Sequence, residues 1–148
     1  MELLIRRMRQ GDLDEAAALE AANFSRPWKR EDFAASLDMK ERIYCVACLE
    51  GKVVALAGLI CSAPDAELVN VSVDSTLRGQ GIAAALLKYL FDEAAACGIS
   101  DIVLEVRSKN APAIKLYEKL GFKQEGLIRR FYTDPLDDGL IYWLRKDS

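Results

Sequence analysis

The stretch NVSVDSTLRGQGIAA, residues 70–84, decides how this chain is read. Val69, Val71 and Val73 alternate with polar residues, the period of a strand with one buried face. A short polar turn follows, then Arg78-Gly79-Gln80-Gly81, then a long amphipathic segment. Two glycines at a helix start leave the first backbone N–H groups pointing outward with no side chain in the way. Those donors and the positive end of the helix dipole suit a pyrophosphate. The stretch therefore reads as strand, phosphate loop and helix.

Working outward, residues 80–97 carry Ile82, Leu86, Leu90 and Ala94 at every fourth position, with Leu87 beside them, and Gly98 stops the helix. Residues 3–8 read as a first strand. Asp12 reads as the N-cap of a helix through Ala22, with Glu15 completing a capping box. Ser25-Arg26-Pro27-Trp28 is a break before a short helix at 31–37. Residues 43–49 and 53–61 form a hairpin about Glu50-Gly51-Lys52, and 66–73 is a third strand in succession. Residues 101–107 are a strand. Asn110 caps the next helix, with Pro112 in its first turn; Ala113, Leu116, Tyr117 and Leu120 are its buried face and Gly121 its end. Residues 122–131 and 140–144 are the last strands, joined by a polar loop at 132–139. The order β-α-α-β-β-β-α-β-α-β-β predicts an α/β (mixed α+β) fold: a mostly antiparallel sheet of about seven strands with helices on both faces.

At 148 residues, the whole of 1–148 is expected to be one domain. The residues are 51% hydrophobic and 29% charged, the balance of a folded globular chain. A net charge of −3 gives no footprint for nucleic acid. No apolar run is long enough to span a membrane, and residues 1–10 are too short and charged for a signal peptide, so the expected location is the cytoplasm. Cys45 and Cys48 make a C-x-x-C, but on a strand that spacing puts them on opposite faces. With no second pair and no histidine, they read as core residues and no metal site is expected. The absence of histidine leaves acid–base work to Glu, Asp, Tyr, Lys, Cys or water.

Gly79-x-Gly81-x-x-Ala84 formally matches a dinucleotide fingerprint, with Glu105 about 20 residues on. The context argues against it: five residues separate Val73 from Gly79, and the preceding strands form a meander rather than βαβ units. A Walker loop is absent, since no Gly-Lys-Ser/Thr follows. A second motif changes the weighing: Leu104-Glu105-Val106-Arg107-Ser108-Lys109-Asn110, then Ala113, then Leu116-Tyr117-Glu118-Lys119-Leu120-Gly121-Phe122. Together with Arg78-x-x-Gly81-x-Ala83 it resembles the GNAT superfamily of N-acetyltransferases, over nearly the whole chain. Phe24-Ser25-Arg26-Pro27-Trp28, residues 66–73 and Arg129-Arg130-Phe131-Tyr132 further resemble the RimI-type members, which modify the N-terminal alanine of a ribosomal protein. Ser75, Leu77, Gly139 and Tyr142-Trp143 depart from that pattern.

The resemblance implies direct attack of an amine on the thioester of acetyl-CoA as cosubstrate, without a covalent enzyme intermediate. Gly79, Gln80, Gly81, Ile82, Ala83 and Ala84 would offer backbone N–H groups to the pyrophosphate, with Arg78 beside it. Val71, Ser72 and Val73 would pair through their backbone with the pantetheine arm, and Asn110 would bond the arm near its thiol end while also capping its helix. Backbone N–H groups at a strand distortion near residues 71–73 would hold the oxyanion.

Glu105 interrupts an apolar strand, which raises a carboxyl pKa and suits a general base; an ion pair with Arg107 is the structural alternative. Glu67, acting through water, is the second choice of base. Tyr117 would be the acid for the departing thiolate, against the plainer reading of a core aromatic. Residues 24–28 and 132–138 would flank a peptide cleft, with Asp134, Asp137 and Asp138 available to a basic peptide and Trp28 either part of the cleft or a core plug. The expected acceptor is a protein N-terminus, that of ribosomal protein S18, rather than a nucleic acid or membrane, and the protein is expected to be a monomer or weak dimer. Small-molecule amines, lysine side chains and a non-catalytic acyl-CoA sensor are the alternatives.

Overall fold

A computed structural model describes residues 2–146. Its strands are β1 (Leu3–Arg7), β2 (Arg42–Leu49), β3 (Lys52–Ser62), β4 (Asp65–Val73), β5 (Asp101–Arg107), β6 (Lys123–Thr133) and β7 (Leu136–Leu144). Its helices are α1 (Leu13–Asn23), α2 (Arg30–Leu37), α3 (Ile82–Ala96) and α4 (Ala111–Lys119). The strands form one seven-stranded sheet in the order β1-β2-β3-β4-β5-β7-β6. Neighbours are antiparallel except β4 and β5, as the mixed, mostly antiparallel expectation requires.

The apolar run of β2 is buried on both sides because the sheet is covered on both sides. Ile43, Cys45 and Ala47 pack toward α3 and α4, while Tyr44, Val46 and Cys48 pack toward α1 and α2. The two cysteines of the C-x-x-C thus lie in different cores, as strand parity requires, and burial pushes the Cys45 thiol up to about 12. Helix α3 buries the stripe expected of it, Ile82, Leu86, Leu87, Leu90 and Ala94. It starts two residues later than the sequence suggests, because Gly81 adopts a left-handed conformation and serves as its N-cap.

Two local expectations fail for the same reason: a partner outside the helix takes the side chain. Asp12 does not cap α1; its carboxylate accepts a bidentate pair from Arg6 at 2.7 and 3.0 Å and the Arg9 N–H at 2.8 Å. Burial works to raise the Asp12 pKa, but those donors hold it below the ordinary carboxylate range. Glu15 accepts the Val53 N–H at 3.0 Å instead of closing a capping box.

Residues 132–139 are not a loop. They belong to the β6–β7 hairpin, with Tyr132 opposite Asp137 and Thr133 opposite Leu136. Asp137 is buried and accepts from the Ser108 hydroxyl and from the backbone N–H groups of Lys109 (3.1 Å) and Asp138 (2.7 Å). Asp138 accepts the Arg130 N–H at 2.9 Å. Asp137 thus pins the hairpin to the β5–α4 turn and Asp138 braces the hairpin itself, so these two carboxylates are engaged within the fold, not held out for a peptide.

Gly58 of β3 faces Tyr44 of β2, and the tyrosine ring lies across the glycine. A Cβ on Gly58 would come within 2.1 to 2.5 Å of three ring carbons. Tyr44 is buried and part of an aromatic cluster with Trp28 and Phe33, ring centroids 5.2 to 6.0 Å apart, so the ring has nowhere to go. Gly58→Ala is expected to cost about 1–3 kcal/mol. A lower urea midpoint at unchanged m-value would show it, and an unchanged midpoint would contradict it.

Candidate active site

Strands β4 and β5 pair over only three positions, Asp65 with Asp101, Ala66 with Ile102 and Glu67 with Val103. Beyond Glu67 the two diverge, and the β5-facing backbone of β4 has no strand opposite it. A β-bulge lies at the start of that opening. Leu59 of β3 opposes Leu68, and Gly58 opposes Asn70, so Val69 is the extra residue. The bulge reverses parity: Ala66 and Leu68 point to the α3 core, whereas Asn70 and Ser72 turn toward α1, and Val71 and Val73 take over the α3 side. The distortion expected near residues 71–73 therefore lies at Val69, just upstream.

The loop after β4 turns on Gly79 (φ +79°) and Gly81 (φ +81°), conformations costly for any other residue. A side chain at either would meet open space, so the backbone is accessible from outside. Ile82 buries its side chain in the α3 core while its N–H belongs to the exposed first turn, alongside those of Ala83 and Ala84. Arg78 donates to Asn23 Oδ1 at 3.0 Å, and Asn23 Nδ2 donates to Ser72 Oγ (2.6 Å) and the Val73 carbonyl (3.0 Å). The loop is thereby tied to the end of β4 through α1. This open, glycine-turned helix start with an arginine beside it fits a pyrophosphate. Asn110 caps α4, accepting the Ala113 N–H at 3.3 Å, as expected.

The parallel register brings Glu67 and Glu105 together on one face. Burial, the neighbouring Glu67 charge and a hydrogen bond with Glu67 all raise the Glu105 pKa. The alternative ion pair with Arg107 is not formed. Arg107 donates to the carbonyls of Pro135 (2.7 Å) and Asp134 (3.3 Å) and lies 4.3 Å from the centre of the Tyr132 ring. Tyr117 sits in the α3 core against Phe122, and burial, with nearby Tyr132, pushes its phenol up to about 12. Burial, and then the charge of Glu105, raise the Tyr132 phenol, while Arg107 works to lower it.

A cavity of about 440 Å³ opens between the α1–α2 connection and the β6–β7 hairpin. Phe24, Ser25, Arg26 and Trp28 form one wall, residues 131–134 the other, and residues 69–71 with Glu20 complete it. The expected cleft segments are therefore the ones that meet here, although Asp137 and Asp138 are not among the lining residues. Trp28 serves both its readings, packing on Phe33 and Tyr44 while lining the cavity. Gly139 leaves space that Phe131 fills; a Cβ there would meet the Phe131 side chain at 2.9 Å. A three-residue bulge at 129–131, with Arg130 at φ +55°, turns Phe131 and Tyr132 onto the cavity.

Sequence reasoning missed Glu20, Asn70 and the stacking of Arg107 on the Tyr132 ring in the cavity wall. Glu20 had a readable signal: with Leu13 and Ala16 it falls on the buried stripe of α1, where a glutamate is out of place.

Residues 13–122 match the acetyltransferase (GNAT) family. The [ribosomal protein bS18]-alanine N-acetyltransferase of Escherichia coli K12 is 35% identical over 132 residues, 88% of each chain. The N-alpha-acetyltransferase RimI of Mycobacterium tuberculosis is 34% identical, over 94% of this chain and 89% of that protein. The crystal structure of the Escherichia coli ribosomal-protein-S18-alanine N-acetyltransferase superposes with a TM-score of 0.88 at 33% identity, covering 97% of this chain and 94% of that one. A parted parallel strand pair, a glycine-turned helix start and this full-length likeness converge: the chain belongs to the GNAT family and is an N-acetyltransferase.

Proposed function

We propose that the enzyme transfers acetyl from acetyl-CoA to the N-terminal α-amine of a protein in the cytoplasm, with ribosomal protein S18, whose alanine the relatives' names specify, as acceptor. The observation that carries this reading is the cavity beside the β4 opening, walled by the two segments that resemble the RimI type. Acetyl-CoA, the acyl donor of the family, supplies an activated thioester. Backbone N–H groups of residues 79–84 and Arg78 would hold its pyrophosphate, the backbone of Val71, Ser72 and Val73 would pair with its arm, and Asn110 would bond the arm near the sulfur.

Glu105 takes the proton from the attacking amine, directly or with Glu67 through water. A carboxyl raised by burial and a like charge is a stronger base than an exposed one, which is what a histidine-free site requires. Tyr117 keeps its proton at neutral pH and directs its O–H at the departing sulfur. At about 12 its phenol is a weaker acid than a thiol near ~8.5, so it acts by hydrogen bonding to the developing charge. Tyr117→Phe is expected to lower kcat on the order of 100-fold while acetyl-CoA still binds. A variant that keeps full kcat would return Tyr117 to the core aromatic it also resembles.

The acidic limb of the rate profile follows from Glu105. The base must be deprotonated, its pKa is raised, and so kcat/KM climbs with pH above the ordinary carboxylate range. Glu67→Gln removes the like charge, lowers the Glu105 pKa and moves that limb to lower pH. The same repulsion acts on stability. A raised carboxyl favours the folded state below its unfolded pKa, and that advantage is lost as pH rises through the folded value. Glu67→Gln should therefore gain up to about 1 kcal/mol at neutral pH and nothing in acid. A limb that stays in place in Glu67→Gln would rule out the interaction.

Coenzyme A release with acetyl-CoA and peptides bearing a free N-terminal alanine, with mass spectrometry to locate the acetyl group, tests the function itself. Acetylation at the α-amine supports it. Transfer only to lysine side chains or small amines replaces the acceptor.

A further inference from the structure

Asn23, the last residue of α1, stands where that helix, the end of β4 and the glycine loop meet. Its Nδ2 donates to Ser72 Oγ at 2.6 Å and to the Val73 carbonyl at 3.0 Å. Its Oδ1 accepts from the Arg78 guanidinium at 3.0 Å. These partners fix which way the amide faces. A carbonyl only accepts, so the NH2 must point at Val73, and the oxygen is left for Arg78. Ser72 is itself buried, so the amide is held by a packed strand end.

The neutrality of this contact sets it apart. Arg6, Arg7, Arg30 and Arg145 are each held by a carboxylate. Arg78 is held by an uncharged amide and makes no ion pair among the described residues. Asp74, the carboxylate just upstream, is turned onto the Thr76 N–H (2.9 Å) and hydroxyl (2.8 Å). A carboxylate at position 23 would grip the guanidinium harder, but it would cancel the charge and compete with an incoming anion. An amide oxygen occupies one N–H and leaves the charge and the remaining donors to a ligand. Arg78 is exposed, and an exposed arginine with no partner gives up much rotamer freedom when it binds. Holding it in place beforehand removes part of that cost.

We propose that Asn23 is a positioning residue for the cosubstrate. It holds the Arg78 guanidinium, with its charge uncancelled, at the start of the glycine loop, and so supplies part of the preference for coenzyme A over thiols that carry no pyrophosphate. This rests on the reading of residues 78–84 as the pyrophosphate site. Asn23 acts through Arg78 and not on the ligand.

Calorimetry with coenzyme A and with pantetheine, which shares the arm but lacks the pyrophosphate, separates this role from support of the fold. Asn23→Ala should raise the Kd for coenzyme A about fivefold and leave that for pantetheine within about twofold. Asn23→Asp keeps an oxygen for Arg78 but adds a charge, and should weaken coenzyme A at least as much. In an Arg78→Ala background, Asn23→Ala should change the coenzyme A Kd by less than about twofold. A purely structural Asn23 would disturb the end of β4. Its loss would then weaken pantetheine and coenzyme A alike and add in full to the cost of Arg78→Ala; either result overturns the proposal. So does undiminished coenzyme A binding in Asn23→Asp. If the wild-type protein binds both ligands equally, residues 78–84 do not hold a pyrophosphate, and the cofactor reading fails together with this one. A wild-type preference for coenzyme A that survives Asn23→Ala intact sinks this inference alone.

Discussion

A strand inside a sheet needs partners on both edges, and β4 has them on both only as far as Glu67. From there it keeps β3 on one side and parts from β5 on the other. The Val69 bulge sits at the parting and supplies the extra residue that lets β4 bend away. Most of the site depends on this one irregularity. It frees a backbone edge for an extended ligand and turns Asn70 and Ser72 toward α1. It also leaves Glu67 and Glu105 adjacent at the point where pairing ends. The bulge is held by the opposite strand, where Gly58 has no side chain and the Tyr44 ring lies across it, its hydroxyl on Asn70.

The second half of the site is a hairpin that is exposed along much of β6 and has to be held in place. Arg107 grips the carbonyls of Asp134 and Pro135, and Asp137 binds the turn that follows β5. Both anchors come from the segment that carries Glu105. The cavity wall and Glu105, the proposed base, are thus tied to one continuous segment, which suits a reaction that needs amine and base in register.

Local pattern made some of this legible. The four-residue repeat of α3, the glycine loop, the double-sided burial of β2 and the caps around α4 all follow from neighbours in sequence. Glu105 stood out because a carboxylate interrupts an apolar alternation. What could not be read is what partners on other elements decide. Asp12 looks like a helix cap until Arg6 claims it, and residues 132–139 look like a loop until Ser108 and Lys109 bind Asp137. The position of the bulge depends on a glycine on another strand. Tyr117 by spacing is only a core residue, and the role proposed for it comes from resemblance. Glu20 was visible as a misplaced charge on the α1 stripe, but the partner that holds it, Asn70, lies on a strand 50 residues away.

The electrostatics of the site bear on its acceptor. An amine must lose a proton before it attacks, and the chain contains no histidine to take it. A carboxylate raised by burial and by a like charge narrows the gap between base and amine without closing it. The remaining climb depends on the amine. An α-amine near ~8 stands about 2.5 units below a lysine near ~10.4, a difference of roughly 3 kcal/mol in the deprotonation step. A site built from glutamates therefore works best on an N-terminus.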